Sequence, residues 1–340
     1  MRVAIMGVGS LGTIFGAYIS KAGKQVDLID VNQEHVNALN KRGATVIGKV
    51  LFNVPVKALT PDQMEGIYDL VFYMTKQTYN ETALKQLLPH LGPDSVVCTL
   101  QNGLPEPAVA EAVGKDRTLG CTVGWGATWI GAGVSELTSD PDHMEFDVGS
   151  IDGPITDKVR LAESYLKLMC PVNILTNLMG IRWSKLLANS TFSGMSTALG
   201  CTFGDVMDDP RSLRVVQYIA NEVIHVAHAN GVKMELFSGY DLEKVLVFEN
   251  KEERDRTLAY YPKIFGPHRA LKASMLQDLE KGRKCEIDAI NGVVCDFGRK
   301  VGVPTPANDK VVEIVKGIEA GKYKYTFANI EMFKSIYSAD

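Results

Sequence analysis

Residues 1–12 read MRVAIMGVGSLG, in which the apolar run VAIM leads directly into a G-x-G-x-x-G pattern. In such a pattern Gly7 allows a tight turn after a strand, Gly9 lets the backbone approach a pyrophosphate, and Gly12 lets the following helix pack closely on the strand. A helix that begins near Ser10 would direct its N-terminal amides and the positive end of its dipole at phosphates. This stretch predicts a strand-turn-helix unit that binds a dinucleotide.

The sequence that follows favours this interpretation over an ordinary glycine-rich turn. An apolar helical pattern covers residues 10–22, and a second apolar run, VDLID, ends at Asp30. A carboxylate at this place accepts hydrogen bonds from a ribose 2′-hydroxyl and repels a 2′-phosphate. None of residues 31–40 is Lys or Arg, so we expect NAD to be favoured over NADP. Alternatively, Asp30 caps the next helix, predicted over residues 32–40.

Length and charge point to a two-domain protein that acts on a small molecule. The chain has 340 residues, 46% of them hydrophobic, which is enough for two cores. A net charge of −4 argues against a nucleic-acid partner, and the densest basic stretch, KGRK at 281–284, is short. The apolar runs are too short to span a bilayer, and no signal-peptide core precedes the first strand. We therefore expect a cytoplasmic protein without a membrane partner.

The spacing of cysteine and histidine predicts neither a disulfide framework nor a metal site. The six cysteines contain no C-x-x-C pair and are interpreted as reduced core thiols. His225 and His228 could share a metal from one helix face, but no third ligand follows at a recognisable spacing. We expect no bound metal.

Alternating strand and helix patterns in the N-terminal half predict an α/β fold with a parallel, doubly wound sheet of the Rossmann type. Residues 44–58 and 127–147 alternate like hairpins, which we expect to extend this sheet with antiparallel strands. A helix over 156–169, capped by Thr156, and a short strand over 172–175 complete the first domain. The predicted domains are residues 1–176, which bind the dinucleotide, and 177–340, which are all α-helical. Helices of the second domain are predicted at 182–199, 211–229, 241–261, 272–280, 285–301 and 308–320.

A polar stripe on an apolar helix is the first candidate for catalysis. In WSKLLANSTFS, Lys185, Asn189 and Ser193 recur every four residues and would share one helix face. A dehydrogenase must protonate the carbonyl oxygen as hydride arrives at carbon, and a lysine whose pKa is lowered by burial can supply that proton. The alternative is that Lys185 only extends to solvent.

Further candidates lie at the end of the chain and at the edge of the predicted sheet. Ser274 can bind a substrate oxygen, and Glu286, predicted inside an apolar helix, needs a partner such as Lys185 or substrate if it is buried. A helix cap and a surface carboxylate are the respective alternatives. Asn102 and Lys76 each follow an apolar strand, at the edge where such folds bind ligands. Each is otherwise a plain turn residue.

These motifs, taken in order, resemble those of the ketopantoate reductase (2-dehydropantoate 2-reductase) family over roughly residues 1–320. The motifs are GVGSLG, MTK, LQNG, WSKLLAN and SMLQDLEKGRKCEIDAING, and the last is the most specific. The resemblance implies a Rossmann domain followed by a helical substrate-binding domain. We expect the helical domain to serve dimerisation as well, in a homodimer, because a helical second domain commonly supports a dimer. It also implies NAD(P)H-dependent reduction of a 2-oxo acid to an (R)-2-hydroxy acid, with ketopantoate giving pantoate on the way to pantothenate and coenzyme A.

The resemblance assigns roles to individual residues. Lys185 matches the general acid, Glu286 the acidic residue of the active site, and Asn102 the asparagine between nicotinamide and substrate. The substrate-binding residues would be Asn189, Ser193 and Ser274. The cofactor-binding residues would be Gly7, Val8, Gly9, Ser10, Leu11, Gly12, Asp30, Lys76 and Asn102.

Three positions depart from the family pattern. Ser193 stands where characteristic members carry asparagine, Leu271 where a polar residue is frequent, and Asp30 where NADPH-using members place a basic residue. These departures favour an alternative, an NAD-dependent D-2-hydroxyacid dehydrogenase that acts on bulkier branched or aromatic 2-oxo acids. An alternative of another class is a non-catalytic dinucleotide sensor, which would need the glycine turn but neither Lys185 nor Glu286.

Overall fold

The strand-turn-helix unit at the start of the chain forms as predicted. In the computed structural model, which describes residues 1–339, β1 (Val3–Met6) leads through Gly7 into α1 (Ser10–Lys21). Gly7 has a φ of +96°, and a Cβ there would lie 2.5 Å from the backbone nitrogen of Thr75. Only glycine fits both constraints.

The other elements of the N-terminal half follow in chain order. They are β2 (Asp27–Ile29), α2 (Gln33–Arg42), β3 (Ala44–Gly48), β4 (Phe52–Val54), β5 (Lys57–Leu59), β6 (Tyr68–Tyr73), α3 (Asn80–Leu87), β7 (Leu91–Thr99), α4 (Glu106–Val113), β8 (Thr118–Val123), β9 (Ala127–Gly131), β10 (Val134–Leu137), β11 (Phe146–Ser150), α5 (Asp157–Leu166) and β12 (Val172–Leu175).

The remaining elements are helices. They are α6 (Leu178–Ala188), α7 (Gly194–Leu199), α8 (Phe203–Asp208), α9 (Pro210–Ala229), α10 (Leu242–Leu246), α11 (Lys251–Thr257), α12 (Tyr261–Phe265), α13 (Ser274–Glu280), α14 (Asn291–Val301), α15 (Pro306–Glu319) and α16 (Lys334–Tyr337). A π-helical turn, Asn189–Ser193, joins α6 to α7. The chain divides into a first unit of residues 1–178 and a second unit from residue 179 onward.

The main sheet has the strand order β12-β11-β8-β7-β6-β1-β2-β5. The six neighbouring strands β8, β7, β6, β1, β2 and β5 are parallel to one another. β11, on the other side of β8, runs antiparallel to it. This order reverses between β1 and β6, and folds of this kind bind ligands at the carboxyl ends of the strands beside such a reversal. The predicted Rossmann sheet is confirmed.

The predicted hairpins form, but they do not extend the main sheet. β3 pairs with β4 and β9 pairs with β10, each antiparallel, and β3 then pairs in parallel with β10 to make a separate four-stranded sheet. This second sheet packs on α1, where the Tyr18 ring meets the Phe52 ring edge-on at 5.2 Å. Our expectation that these stretches extend the main sheet with antiparallel strands was therefore wrong, except for β11. β5, at the end of the first stretch, also joins the main sheet, but it runs parallel to β2.

Both faces of the main sheet are covered by apolar side chains. Ile5 and Phe72 face the side of α1, and the rings of Phe15 and Phe72 meet edge-on at 4.9 Å. Met6 and Tyr73, their neighbours in sequence, join the cluster on the opposite face, as the alternation of a strand requires. The two cores hold the sheet from both sides. The loops after the parallel strands β1, β2, β6 and β7 lie together at one edge of this sheet.

The second unit is held by packing between helices. The ring of Trp183 in α6 meets Phe297 of α14 edge-on at 5.6 Å. Phe192, in the π-turn, packs against Phe265 of α12 with ring centres 4.6 Å apart. Both contacts hold the α6–α7 segment, which contains the polar stripe, inside the unit.

Two helices predicted in this unit are shorter than their apolar periodicity suggests. The stretch 241–261 is divided into α10, α11 and the first residue of α12, and the side chain of Asn250 caps α11 by accepting the Glu253 amide hydrogen. In the stretch 285–301, α14 begins only at Asn291. Buried apolar side chains also occupy the connecting turns, so the periodicity continues across the breaks.

Candidate active site

The glycine turn is shaped to receive a phosphate. Apart from Gly9 and its neighbours in the chain, no heavy atom lies within 4 Å of the position that a Cβ of Gly9 would take, whereas a Cβ on Gly12 would lie 2.5 Å from the carbonyl oxygen of Gly7. The backbone is thus open at Gly9 and closely packed at Gly12. The first N–H groups of α1, from Ser10 onward, have no intrahelical partner and supply donors beside the positive end of the helix dipole. These features fit a dinucleotide pyrophosphate.

Asp30 directly follows β2 and is half-buried. Its Oδ1 accepts the backbone N–H of Asn32 at 2.9 Å. Asn32, not Asp30, caps α2, because its side chain accepts the backbone N–H of His35 at 3.2 Å. The alternative in which Asp30 caps this helix is wrong.

A chain of buried hydrogen bonds ends at the glycine turn, which sequence reasoning missed. The Nδ1 atom of His35 accepts the N–H of Gly133 at 2.9 Å, and Nε2 lies 3.2 Å from Oγ1 of Thr13. The Thr13 hydroxyl donates to the carbonyl of Gly9 at 2.7 Å. Burial lowers the pKa of His35, while the charge of Asp30 and a hydrogen bond with the backbone of Val8 oppose the shift.

The loops after β6 and β7 lie side by side at the carboxyl edge of the main sheet. Lys76 follows β6, Asn102 follows β7, and both are half-buried. The side-chain amide of Gln77 donates to the carbonyl oxygen of Asn102 and ties the two loops together. The structure therefore brings these two predicted cofactor-site residues to one place.

Gln101, which is 4% exposed, strengthens this connection. Its side-chain amide donates to the carbonyl of Thr75 at 2.8 Å and to Oδ1 of Asn80 at 2.7 Å. Burial raises the pKa of Tyr73 to about 12, so its hydroxyl stays protonated and donates to the same Asn80 oxygen at 3.1 Å. Gln101 lies inside the LQNG motif, and a polar residue directly after a buried strand is the feature that would have revealed it.

The polar stripe of the second unit is interrupted by the π-turn. Lys185 lies on α6, and Asn189 and Ser193 are the first and last residues of the turn. All three are half-buried, while Leu186, Leu187 and the residues 190–192 are buried. The backbone N–H of Gly194 donates to the Asn189 carbonyl five residues earlier.

The π-turn has a consequence for the direction of Ser193. In an unbroken α-helix, Ser193 would lie about 80° around the axis from Lys185, because eight residues advance slightly more than two turns. A π-turn is wider and advances by a smaller angle per residue. It therefore returns Ser193 toward the face that carries Lys185. Single π-turns inside helices occur frequently at functional sites.

Asn291 connects the π-turn to the last motif of the chain. It is fully buried, and its Nδ2 donates to the Ser190 carbonyl and to Oδ1 of Asn308, both at 2.9 Å. A Cβ on Gly194 would lie 2.5 Å from Oδ1 of Asn291, so glycine is required for this approach. Sequence reasoning missed this residue, which belongs to the EIDAING segment.

The two remaining candidates lie on either side of the body of α13, Ser274 at its start and Glu286 beyond its end. Ser274 is the exposed first residue of α13, and Ala273 is the N-cap, so the alternative of a helix cap is wrong for Ser274. Glu286 is 9% exposed and precedes the short turn before α14. It is neither inside a helix, as predicted, nor a surface carboxylate, the alternative considered. Buried carboxylates require polar partners.

Other groups with possible chemistry are dispersed. Within residues 1–339, no three His, Cys, Asp or Glu side chains are grouped so as to hold a metal ion. His225 lies 3.4 Å from Glu249, and His228 lies 2.9 Å from Glu243. The six cysteines are free and five are buried, whereas Cys201 is half-buried. In the same part of the chain, no helix has the length and apolarity that a membrane span requires.

The sheet order, the open glycine turn beside the strand-order reversal and the helical second unit define a dinucleotide-binding protein of the Rossmann class. Two sequence models confirm and narrow this class. The model described as ketopantoate reductase PanE/ApbA matches residues 3–152, and the model of the C-terminal part, ketopantoate reductase PanE/ApbA C terminal, matches residues 177–319. The chain belongs to the ketopantoate reductase family and is an NAD(P)-dependent oxidoreductase.

Individual relatives agree with this assignment. The 2-dehydropantoate 2-reductase of Streptococcus pyogenes serotype M6 is 29% identical over 94% of this chain and 98% of its own length. A PanE/ApbA family ketopantoate reductase from Ralstonia eutropha JMP134 is similar in structure, with a TM-score of 0.78 at 25% identity over 95% of this chain and 99% of its own.

A similar fold is also found in a solved structure of D-mandelate dehydrogenase with NADH and anilino(oxo)acetate. Its TM-score is 0.79 at 24% identity, with coverage of 95% of this chain and 99% of that one. At this identity the likeness concerns the fold alone.

Proposed function

We propose that this protein reduces a 2-oxo acid to an (R)-2-hydroxy acid with NADH or NADPH, with 2-dehydropantoate as substrate and pantoate as product. The observation that carries the proposal is the similarity to a curated 2-dehydropantoate 2-reductase over 94% of the chain. The residues assigned to the site fall within the two ranges that the family models match, 3–152 and 177–319. The cofactor is a nicotinamide dinucleotide.

The proposed chemistry adds a hydride to the carbonyl carbon and a proton to the carbonyl oxygen. When bound, the reduced nicotinamide supplies the hydride and becomes oxidised, so two electrons pass to the substrate. Lys185 donates the proton as general acid and is recharged from solvent. General acids work best when their pKa lies near the operating pH, and the half-buried place of Lys185 on α6 supports such a role.

The other candidates hold the reactants. Asn189 and Ser193, one at each end of the π-turn, orient the substrate together with Ser274. Asn102 would contact the nicotinamide and the substrate, and Glu286, buried before α14, is the acidic residue of the site. Lys76 and the glycine turn hold the dinucleotide.

NAD is the proposed preference because of Asp30. Its Oδ1 is bonded to the Asn32 amide, which fixes the carboxylate at the end of β2 where a ribose 2′-hydroxyl binds in this class of fold. A 2′-phosphate would meet a negative charge there. The first basic side chains after Asp30 in the sequence, Lys41 and Arg42, lie in the last turn of α2, and Arg42 donates to the Ala132 carbonyl at 2.8 Å.

A second candidate function is favoured by specific residues. Leu271 is 50% exposed three residues before Ser274, and Ser193 is shorter than the asparagine of characteristic family members. An apolar side chain and a shorter hydroxyl suit a bulkier branched or aromatic 2-oxo acid. With Asp30, they describe an NAD-dependent D-2-hydroxyacid dehydrogenase.

Steady-state kinetics with a substrate panel tests both candidates. The panel contains ketopantoate, 2-oxoisovalerate, 2-oxoisocaproate and phenylglyoxylate, each with NADH and with NADPH. The highest kcat/KM for ketopantoate supports the first function, and the highest kcat/KM for a bulkier acid with NADH supports the second. Turnover of none of the four with either cofactor contradicts both. A homodimer and a cytoplasmic location remain predictions, for which light scattering and cell fractionation are the measurements.

A further inference from the structure

His35 is a buried histidine, and each of its two ring nitrogens has a hydrogen-bond partner. It is 0% exposed and lies in the first turn of α2, and its ring packs against Trp129 of β9 with centres 4.4 Å apart. His35 thus connects α2, to which it belongs, with the second sheet and the glycine turn. The backbone N–H of His35 donates to the side chain of Asn32, whose own backbone N–H donates to Asp30.

The partners of His35 determine its tautomer. The backbone N–H of Gly133 can only donate, so Nδ1 must accept and carry no proton. The neutral ring then has its proton on Nε2, which donates to Oγ1 of Thr13. The single hydroxyl proton of Thr13 is therefore left for a backbone carbonyl, and the carbonyl of Gly9, at 2.7 Å, is closer than that of Val8, at 3.3 Å. In each of these three hydrogen bonds the donor lies on the Gly133 side and the acceptor on the side of the glycine turn.

This chain of hydrogen bonds ends on the Gly9–Ser10 peptide, which faces the proposed phosphate site. The carbonyl of Gly9 also accepts the backbone N–H of Thr13 at 3.0 Å, so two donors hold it. Because a peptide unit is planar and trans, fixing this carbonyl fixes the N–H of Ser10 on the opposite side of the same plane. That N–H is the first donor of α1 available to a pyrophosphate.

We propose that His35 and Thr13 are positioning residues for the dinucleotide, which set the orientation of the Gly9–Ser10 peptide through a one-directional hydrogen-bond chain that begins at Gly133 in the β9–β10 turn. Neither residue touches the cofactor in this account. The inference rests on the proposed placement of the dinucleotide at the glycine turn, and it predicts an effect on cofactor affinity that is separate from an effect on stability.

Two substitutions of His35 separate its two side-chain hydrogen bonds, because each keeps one bond and removes the other. In His35→Gln, the side-chain NH₂ group takes the place of Nε2 and keeps the donor to Thr13. In His35→Asn, the side-chain oxygen takes the place of Nδ1 and keeps only the acceptor for Gly133. Each variant loses one buried hydrogen bond, so the two are matched for loss of stability.

The measurement is the dissociation constant of the full-length protein for NADH and NADPH, by fluorescence titration without substrate, beside thermal unfolding of each variant. We expect His35→Asn to bind about tenfold more weakly than His35→Gln, since one buried donor to the turn is lost. Thr13→Val should weaken binding by a similar factor relative to Thr13→Ser, which keeps the hydroxyl. The Thr13 pair supplies the answer if a His35 variant does not fold.

Equal affinity within each pair, whatever the shifts in unfolding temperature, would overturn the inference and leave His35 as a structural residue. The inference would also be overturned if His35→Gln and His35→Asn bound the dinucleotide equally weakly. Failure of the unsubstituted protein to bind either dinucleotide is a different outcome, because it contradicts the proposed function itself.

Discussion

The side-chain nitrogen of Asn291 donates to the backbone carbonyl of Ser190 at 2.9 Å, inside the π-turn that carries two of the proposed substrate residues. The same nitrogen donates to Oδ1 of Asn308, whose own Nδ2 donates to Oε2 of Glu222 at 2.7 Å. A polar chain thus runs from α9 through α15 and α14 to the π-turn. Buried networks of this kind are costly to break in part, because the remaining groups lose their partners.

Asn291→Ala should disturb substrate binding through the π-turn. The substitution leaves the Ser190 carbonyl without this donor, and we expect a loss of about 1–3 kcal/mol in the free energy of unfolding. The KM for the 2-oxo acid should rise severalfold while the dissociation constant for NADH stays unchanged. Chemical denaturation and steady-state kinetics measure the two effects.

Asn329→Ala is the matched control for this prediction. Asn329 is another buried asparagine of the second unit, and its Nδ2 donates to the carbonyls of Ala198 and Lys324, both at 2.8 Å. It should lower stability by a similar amount with little change in KM. A parallel rise in KM in both variants would show that Asn291 has no particular link to the site.

Lys185→Ala should slow carbonyl reduction by ~10²- to 10⁴-fold, the usual contribution of a general acid. Lys185→Arg keeps the positive charge but holds its proton too tightly to donate it, so it should bind substrate better than Lys185→Ala and still turn over slowly. Single-turnover kinetics with saturating cofactor separates binding from the chemical step. Near-normal turnover of Lys185→Ala would remove this residue from the mechanism.

Asp30→Arg should reduce or reverse a preference for NADH, because it replaces a carboxylate that repels a 2′-phosphate with a cation that attracts it. Asp30→Asn keeps an oxygen that can accept the Asn32 amide and removes only the charge, so it should give an intermediate ratio. The quantity to compare is kcat/KM with NADH over kcat/KM with NADPH. A clear preference of the unsubstituted protein for NADPH would refute the role given to Asp30.

Glu222 should make stability depend on pH. Burial raises the pKa of its carboxyl from 4.5 to about 7, although hydrogen bonds from Ala307 and Asn308 oppose the shift. The folded protein therefore holds this proton more tightly than the unfolded chain, so the stabilisation is complete below about pH 4.5 and is lost as pH rises through 7.

Relative to Glu222→Gln, the free energy of unfolding should fall by on the order of 1–3 kcal/mol between about pH 4.5 and 8. Urea denaturation of both proteins across that range measures the difference. A difference that does not change with pH would mean that Glu222 titrates near its ordinary pKa in the folded protein.

The first unit was the more predictable part of the fold, because its periodic strands and its glycine turn report local structure. The positive φ of Gly7 and the cap at Thr156, whose side chain accepts the Val159 amide, follow from single residues. The pairing of β3 with β10 could not be predicted, since alternation shows that a strand forms but not which distant strand it joins. The second sheet, and with it the contact of His35 with Gly133, depends on that pairing.

Within the candidate site, residue types were more predictable than their connections. The face shared by Lys185 and Asn189 follows from helical spacing, whereas the π-turn before Gly194 has no sequence pattern of its own. The turn contacts Asn291, which is about a hundred residues away in sequence. Gln101 was missed for a similar reason, because its importance comes from bonds to a neighbouring loop.

The most direct test of the central claim is chiral analysis of the product formed from 2-dehydropantoate and the other 2-oxo acids of the panel with NADH and NADPH. We expect an (R)-2-hydroxy acid in amounts equal to the reduced cofactor consumed, and its loss in Lys185→Ala. An (S)-2-hydroxy acid, or no 2-hydroxy acid from any of these substrates, would contradict it.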